Sequence, residues 1–339
     1  MNIGLRKETT ISQQNIIQPV KIFSLGFLRS YVITMRPYLL FVSGITGIAG
    51  LSFVTNLPIL PMIILSVIFF LSYGFGQALT DCFQTDTDRL SSPYRPLSQG
   101  KVRRRDILIV TLTGLLLSGT ILTLFSPINL ILSLIAIMGL ATYTYFKRRW
   151  WGGPFYNAWI VALSCLIAYI AGSGVMDSKL LLSPELLSTL AAVLFGYANF
   201  VLTGYYKDIS ADRATGYNTL PVVFGLKISA LVSDIFASLT LIACGTAVFL
   251  SLSEVNIINW YSIILFGMGF GASLLAQVNL HKVRSESESH RAIVPVVHAY
   301  LLLLSAIAVA QKPFWVIPIT IFYFGFVLMM MIRPMKQQI

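Results

Sequence analysis

The chain has 339 residues, of which 56% are hydrophobic and 11% are charged, and its formal net charge at pH 7 is +11. Soluble domains carry about 25% charged residues, so this composition excludes an ordinary water-soluble protein and indicates a multi-pass membrane protein. The three cysteines have no metal-binding or redox spacing, so the sequence predicts no disulfide framework.

Apolar segments long enough to cross a bilayer follow one another along the chain, each close to the roughly 20 residues that a span requires. The sequence predicts ten such helices, near 33–55, 58–80, 107–126, 128–146, 156–176, 185–206, 228–252, 257–280, 292–311 and 314–332. Because only a short segment separates the last two, nine helices is the alternative. We therefore predict an all-α transmembrane bundle of about nine or ten helices. The cytoplasmic N-terminal tail is predicted at 1–28, and a single transmembrane domain at 29–339.

The positive charges indicate how this bundle is oriented. With the N-terminus in the cytoplasm and ten helices, every Lys and Arg except Lys179 and Lys312 lies on the cytoplasmic side. Retention of Lys and Arg in cytoplasmic loops is the orientation rule of membrane proteins. The basic charge therefore indicates topology, with the lipid bilayer as the partner and no nucleic acid. We predict an integral protein of a bacterial cytoplasmic membrane, with an organelle membrane as the alternative, and with the N-terminus and the long charged loops inside.

The second predicted helix ends in a cluster of acids, in the segment TDCFQTDTDRLSSPYRP at 80–96. At about 100° per helical residue, Asp81, Gln84 and Asp88 share a face from which Asp86 points away. Clustered carboxylates repel one another unless a cation lies between them. Mg²⁺ takes oxygen ligands, typically one or two carboxylates plus substrate phosphates. The segment therefore predicts a magnesium site at the membrane edge.

The sixth predicted helix ends in a similar way, in YYKDISADRATGYNTLP at 205–221. Asp208 and Asp212 are separated by one turn, as are Gln84 and Asp88 in the first segment, and both segments continue into Arg and Pro. This similarity predicts an internal duplication of a four-helix unit, and structural repeats with a site between them are common in membrane proteins. The matched segments argue against the alternative in which the acids only cap loops or pair with arginines.

The two segments resemble the Asp-rich signatures of the UbiA superfamily of intramembrane prenyltransferases. The first resembles NDxxDxxxD followed by PxRP, and the second resembles YxKDxxxD followed by a TLP segment. MRPY at 35–38 and YTYFKRRWWGGPFYN at 143–157 look like further family segments. Thr80 and Gln84 stand where the family usually has Asn and Asp. This departure leaves open whether the site holds one metal ion or two.

The resemblance implies transfer of a prenyl group from a prenyl diphosphate to a hydrophobic acceptor, aromatic or lipid, inside the membrane. It implies ionisation of the allylic C–O bond, with Mg²⁺ and cationic side chains neutralising the leaving diphosphate. The metal ligands implied are Asp81, Asp88, Asp208 and Asp212. The catalytic set adds Lys207 and Tyr205, and the substrate-binding set includes Arg36, Thr80, Gln84, Arg95, Tyr143 and Lys147.

Further candidates lie inside the predicted spans. Asn199 precedes Asp208 by about two turns and is predicted to face the same cavity. Asp234 lies in the seventh helix, where an acid is a candidate for acceptor binding or proton removal. Aromatic faces attract cations, so an allylic cation is expected to lie near Tyr73, Phe75, Tyr197 and Phe200.

Two other functions compete with this prediction. A terpene cyclase on the same scaffold would ionise the diphosphate and let the chain attack itself, without an acceptor. A transporter would also suit ten helices with internal repeats, although broken helices with charges at the midplane would then be expected. Metal-dependent release of diphosphate separates both enzymes from the transporter.

Overall fold

The computed structural model describes residues 18–175, 178–255 and 259–333, and the regular structure in these ranges is entirely helical. In chain order the α-helices are α1 (Leu25–Met35), α2 (Leu40–Leu51), α3 (Ile59–Phe83), α4 (Thr85–Ser91), α5 (Arg104–Phe125), α6 (Ile128–Lys147), α7 (Gly153–Ser173), α8 (Ser178–Leu181), α9 (Pro184–Gly204), α10 (Ile209–Ala214), α11 (Leu220–Val255), α12 (Trp260–Lys282), α13 (His290–Gln311) and α14 (Val316–Ile332).

Nine helices in the described ranges are long and apolar enough to cross a membrane: α3, α5, α6, α7, α9, α11, α12, α13 and α14. A tenth span results if α1 and the segment Pro37–Leu51, which meet at a bend of 40°, are taken together. The prediction of an all-α transmembrane bundle with about nine or ten helices is therefore confirmed. Helix α1 begins at Leu25, inside the predicted tail of 1–28, and residues 1–17 of that tail lie outside the described residues.

The bend after α1 positions a functional side chain. Arg36 adopts a left-handed backbone conformation, with φ 54° and ψ 72°. Proline disfavours the α-helical conformation in the residue before it, and Pro37 thus helps to end α1. A left-handed conformation costs an L-residue roughly 1–2 kcal/mol. The guanidinium of Arg36 meanwhile donates hydrogen bonds to Asp81 on α3, which fasten the bend to the end of that helix.

Helix α13 lies at the centre of the bundle. Its side chains are buried almost continuously from Val296 to Ala310, against α2, α9, α11 and α12. Polar side chains tie this helix to its neighbours, because the hydroxyls of Thr46 and Tyr300 lie 2.7 Å apart and Asn259 donates to the carbonyl of Val309 at 2.8 Å. The core therefore provides a fixed frame for the helix ends that carry the acids.

Both acidic helices break at the same point of the predicted repeat. Helix α3 ends just before Gln84, whose φ and ψ are −116° and 22°, and the chain after α9 turns at Asp208, with −117° and 11°. After each break a short helix begins, in which the amide of Asp88 bonds the carbonyl of Gln84 at 2.9 Å and that of Asp212 bonds Asp208 at 2.7 Å. The matching backbone supports the predicted duplication. Asp81, Gln84 and Asp88 face one cavity, as predicted, but across a break at Gln84 and not along one unbroken helix.

Candidate active site

A polar cavity of about 110 Å³ opens where the ends of α3, α6 and α9 converge. Four cationic and three carboxylate side chains line it, so its walls carry a net positive charge suited to an anion. Eleven of the predicted site residues lie in this lining: Arg36, Thr80, Asp81, Gln84, Asp88, Arg95, Tyr143, Lys147, Tyr205, Lys207 and Asp208.

Asp81 is held by donors from three directions. Arg36 Nη2 lies 3.0 Å and 3.2 Å from its two carboxylate oxygens, and Gln77 Nε2 lies 2.6 Å from Oδ1. Arg95 Nη1 approaches the same Oδ1 to 3.5 Å. Gln77 was not among the predicted residues, although a signal for it exists: it is the polar residue one turn before Asp81 in a strongly apolar helix.

Arg95 joins the two carboxylates of the first acidic segment. Its Nη1 lies 2.5 Å from Asp88 Oδ2 as well as near Asp81, and all three side chains are largely buried. Burial raises the pKa of the Asp88 carboxyl, and the charge of Arg95 opposes this rise. Burial alone would lower the pKa of Arg95, but Asp88 and Asp81 raise it above its ordinary value. Arg95 is therefore a fixed cation between two acids at the cavity wall.

Lys147 contacts both acidic segments, through Gln84 in the first and Asp212 in the second. Its Nζ donates to Gln84 Oε1 at 3.0 Å and lies 3.6 Å from Asp212 Oδ1. Asp212 is fully buried behind Lys147 and is absent from the cavity lining. Burial raises the pKa of Asp212 to about 6, although Lys147 opposes the rise. Asp212 Oδ1 accepts no hydrogen bond in the described part of the chain, and the ammonium of Lys147, 3.6 Å away, is its ion-pair partner.

The two acidic segments are fastened to each other outside the cavity. Asp86, which was predicted to point away, accepts hydrogen bonds from Arg148 at 2.9 Å and from Tyr217 at 3.2 Å. The hydroxyls of Thr87 in α4 and of Thr215, the residue after α10, lie 2.9 Å apart. Tyr217 was not predicted, and nothing in the sequence pairs it with the first segment. These contacts hold the two halves of the predicted repeat together over the site.

The oxygen donors at this site fit a hard divalent cation. Asp81, Asp88 and Asp208 face one cavity, and Asp212 lies behind it, 3.6 Å from the ammonium of Lys147. Across the described ranges, however, no three carboxylate, imidazole or thiol side chains come close enough together to hold a metal ion unaided. Because Mg²⁺ commonly combines one or two carboxylates with substrate phosphates, this donor set suits a magnesium ion that binds together with a phosphorylated ligand.

An apolar cavity of about 120 Å³ continues from the polar one between α3, α5, α6 and α7. The two cavities share five lining residues: Tyr73, Gln77, Thr80, Asn157 and Tyr197. On α3 the lining extends from Thr80 to Ile68, which is about 18 Å at 1.5 Å per helical residue. A ligand with a charged head and a hydrocarbon tail would therefore fit both cavities at once.

Some of the remaining predicted residues line the polar cavity, and others lie elsewhere in the structure. Of the predicted aromatic residues, Tyr73, Tyr197 and Phe200 line the polar cavity, whereas Phe75 does not. The structure does not bring Asn199 or Asp234 to the cavity. Asn199 Oδ1 instead accepts a hydrogen bond from Ser233 on α11 at 2.5 Å, and Asp234 pairs with His281 at 2.7 Å on an exposed surface. Their polarity in apolar helices marked them as unusual but did not indicate which side of the helix meets the cavity.

Comparison with known proteins identifies the family. The family model described as the UbiA prenyltransferase family matches residues 40–293. The chain belongs to the UbiA prenyltransferase family. Among its relatives is the digeranylgeranylglyceryl phosphate synthase of Thermococcus kodakarensis, 30% identical over 63% of this chain and 76% of the relative. The enzyme of the same name from Thermococcus sibiricus is 27% identical over 64% of this chain and 76% of its own length.

Solved UbiA homologs have the same fold. A UbiA homolog from Aeropyrum pernix K1 superposes with a TM-score of 0.64 at 17% identity, covering 80% of this chain and 96% of the homolog. A UbiA homolog from Archaeoglobus fulgidus bound to DMAPP and Mg²⁺ gives 0.58 at 16% identity, covering 81% of this chain and 99% of the homolog. The predictions of a UbiA-like fold and of a prenyltransferase enzyme are therefore confirmed, and family membership speaks against the transporter alternative.

Proposed function

We propose that this chain transfers a prenyl group from a prenyl diphosphate to the hydroxyl of a prenylglyceryl phosphate, with Mg²⁺ bound beside the diphosphate. The observation that carries the proposal is the continuity of the two cavities. A positively lined polar cavity receives the diphosphate, and the apolar cavity joined to it through Tyr73, Gln77 and Tyr197 receives the hydrocarbon chain.

The acidic and the basic side chains of the site would bind different parts of the substrate complex. Asp81, Asp88 and Asp208 would hold Mg²⁺, with Asp212 behind them, and the bound metal would withdraw charge from the leaving diphosphate. Cationic groups on the cavity wall would hold the remaining oxygens: Arg36, Arg95, Lys147 and Lys207. The paired hydroxyls of Tyr143 and Tyr205, 2.9 Å apart, would donate to the same anion.

The reacting carbon would lie where the two cavities meet. Breaking the allylic C–O bond leaves the electron pair on the diphosphate and a positive charge on the prenyl group. The rings of Tyr73 and Tyr197 line both cavities at this junction and would stabilise that charge through their electron-rich faces. The acceptor hydroxyl oxygen then forms the new C–O bond, and its proton leaves to solvent or to the diphosphate.

The acceptor class rests on the relatives. The enzymes named digeranylgeranylglyceryl phosphate synthase share between 26% and 30% of residues with this chain over the aligned regions. The product in that name carries two geranylgeranyl groups on one glyceryl phosphate. Transfer of one such group to geranylgeranylglyceryl phosphate would yield it. We propose the same acceptor for the present chain. Of the two predicted acceptor classes, aromatic and lipid, the proposal therefore takes the lipid.

We also propose that the site faces the cytoplasm. The loops at 84–103, 148–152 and 205–219 meet at the polar cavity or in the contacts around it, and they contain many of the chain's Lys and Arg residues. Because such residues are retained on the cytoplasmic side, the substrates would enter from that face. That the membrane is a bacterial cytoplasmic membrane stays a prediction.

The function is tested with protein purified in detergent, labelled geranylgeranyl diphosphate and geranylgeranylglyceryl phosphate. We expect formation of digeranylgeranylglyceryl phosphate with release of one diphosphate per product. EDTA should abolish both and added Mg²⁺ should restore both. Diphosphate release with a cyclic hydrocarbon and no use of the acceptor would identify a cyclase instead, and absence of release with donors of every length would contradict the proposal.

The apolar cavity predicts how donor length is limited. Ser118 on α5 lines this cavity, and a Phe there would fill part of it. We expect Ser118→Phe to lower kcat/KM for geranylgeranyl diphosphate at least tenfold, about 1.4 kcal/mol, while dimethylallyl diphosphate is used nearly as well as before. Thr120→Phe is the matched control, because Thr120 is exposed on the outside of the same helix. An equal loss for both donors would show that the cavity does not hold the chain.

A further inference from the structure

A third pocket, of about 200 Å³, lies beside the polar cavity on the loop side of the membrane. Its walls come from the end of α4 and from the segment that leads from α12 into α13. Lys207 and Asp208 line both this pocket and the polar cavity, so the two spaces meet at these residues. The proposed transfer reaction gives the pocket no role.

The pocket has the features of an anion site. It lies at the start of α13, where Ser289 precedes the helix and His290 is its first residue. The N-terminus of a helix carries a partial positive charge and backbone N–H groups that favour phosphate. His290 Nδ1 donates a hydrogen bond to the carbonyl of Ser287 at 2.9 Å, so Nε2 of the neutral ring would accept one, such as that from the P–OH group of a phosphate monoester monoanion. Lys207 supplies a cation at the opposite boundary.

A buried hydroxyl on the facing wall supports this interpretation independently. Ser92 lines the pocket and is only 2% exposed, yet its side chain makes no hydrogen bond within the described ranges. The nearby Oγ of Ser91 is also buried without a partner. Because a buried hydroxyl is normally hydrogen-bonded, these residues provide donors for a ligand.

The acid on the rim of the pocket is already engaged. Both carboxylate oxygens of Glu286 accept hydrogen bonds from Ser210, one from the backbone amide at 2.5 Å and one from the hydroxyl at 2.8 Å. Glu286 therefore fastens this wall to α10 in the second acidic segment. Asp208 is left as the acid at the boundary with the polar cavity, where the proposed Mg²⁺ would offset its charge.

We propose that this pocket binds the phosphate head of the acceptor. The inference rests on the proposed function, which supplies an acceptor that carries a phosphate. Hydroxyl, imidazole and ammonium groups around the pocket match a phosphate monoester, and the opening at Lys207 and Asp208 leads from it to the polar cavity. An acceptor with its phosphate here would present its glycerol hydroxyl towards the prenyl diphosphate, and the pocket would select phosphorylated acceptors over neutral ones.

The test measures binding in detergent, without donor, of labelled geranylgeranylglyceryl phosphate and of its dephosphorylated form, geranylgeranylglycerol. We expect His290→Ala to raise the Kd for the phosphorylated ligand about tenfold, and Ser92→Ala about fivefold, through loss of hydrogen bonds to an anion. The Kd for geranylgeranylglycerol should not change. Arg291→Ala is the matched control, since Arg291 is exposed beside His290 and outside the pocket, yet its removal deletes a full charge.

The outcomes separate this inference from the proposed function. Equal changes for both ligands, no change in either pocket variant with an unaltered thermal midpoint, or an equal effect of Arg291→Ala would overturn the pocket assignment. If both pocket variants weaken binding of the phosphorylated ligand selectively but the wild-type protein transfers no prenyl group to it, the pocket assignment stands and the proposed function fails.

Discussion

Replacing Asp208 with Asn is expected to lower kcat/KM for the prenyl diphosphate by a factor of roughly 10² to 10³, as loss of one preorganised electrostatic group at a reacting centre does in other enzymes. The matching breaks in α3 and α9 make Gln84 the repeat counterpart of Asp208. Gln84 carries no charge and already accepts a hydrogen bond from Lys147. The site therefore has no second carboxylate at this position of the repeat that could replace Asp208.

Asp86→Asn is the matched control for this experiment. Asp86 belongs to the first acidic segment, but its carboxylate is half-exposed and pairs with Arg148 outside the cavity. We expect its loss to change kcat/KM less than about tenfold, since exposed ion pairs contribute roughly 0–1 kcal/mol. The Mg²⁺ concentration for half-maximal rate should rise in Asp208→Asn and stay constant in Asp86→Asn. Similar effects of the two variants would contradict the assignment of Asp208 to the metal and the diphosphate.

The sequence predicted those features that depend on composition and on spacing along the chain. The length of the apolar segments determines the number of spans, and the similar spacing of the acids predicted two segments that meet at one site. The backbone at Gln84 and Asp208 could not be predicted in the same way, because nothing in either sequence segment marks the point at which the helix ends. The acids nevertheless converge, because a short helix follows each break. These short helices, α4 and α10, bring Asp88 and Asp212 back towards the site.

The direction of polar residues inside the spans was predicted less well. In a soluble helix the polar side faces water, but a membrane helix is apolar all round, so periodicity does not indicate which side meets a cavity. Asn199 faces Ser233 on α11, whereas Gln77 faces Asp81 and the junction of the two cavities. Contacts between distant segments, such as that of Tyr217 with Asp86, depend on how the two halves pack and have no local signal.

Arg95→Gln is expected to have the second large effect, on stability as well as on activity. Arg95 contacts Asp88 at 2.5 Å and Asp81 at 3.5 Å, and all three side chains are at least 88% buried. Removing one partner of a buried ion pair costs about 3–5 kcal/mol, because the remaining charge is left without compensation. We therefore expect a clearly lower thermal midpoint in detergent, together with a KM for the donor raised about tenfold or more.

The double variant Arg95→Gln/Asp88→Asn separates these two effects. Removing both charges relieves the uncompensated carboxylate, so the thermal midpoint should return most of the way towards that of the wild-type protein. Activity should not return with it, because the cavity then lacks both the cation for the diphosphate and one oxygen donor for Mg²⁺. Recovery of activity along with stability would mean that Arg95 serves only to balance the charge of Asp88. Stability regained without activity would show that Arg95 and Asp88 together contribute to activity beyond balancing each other's charge.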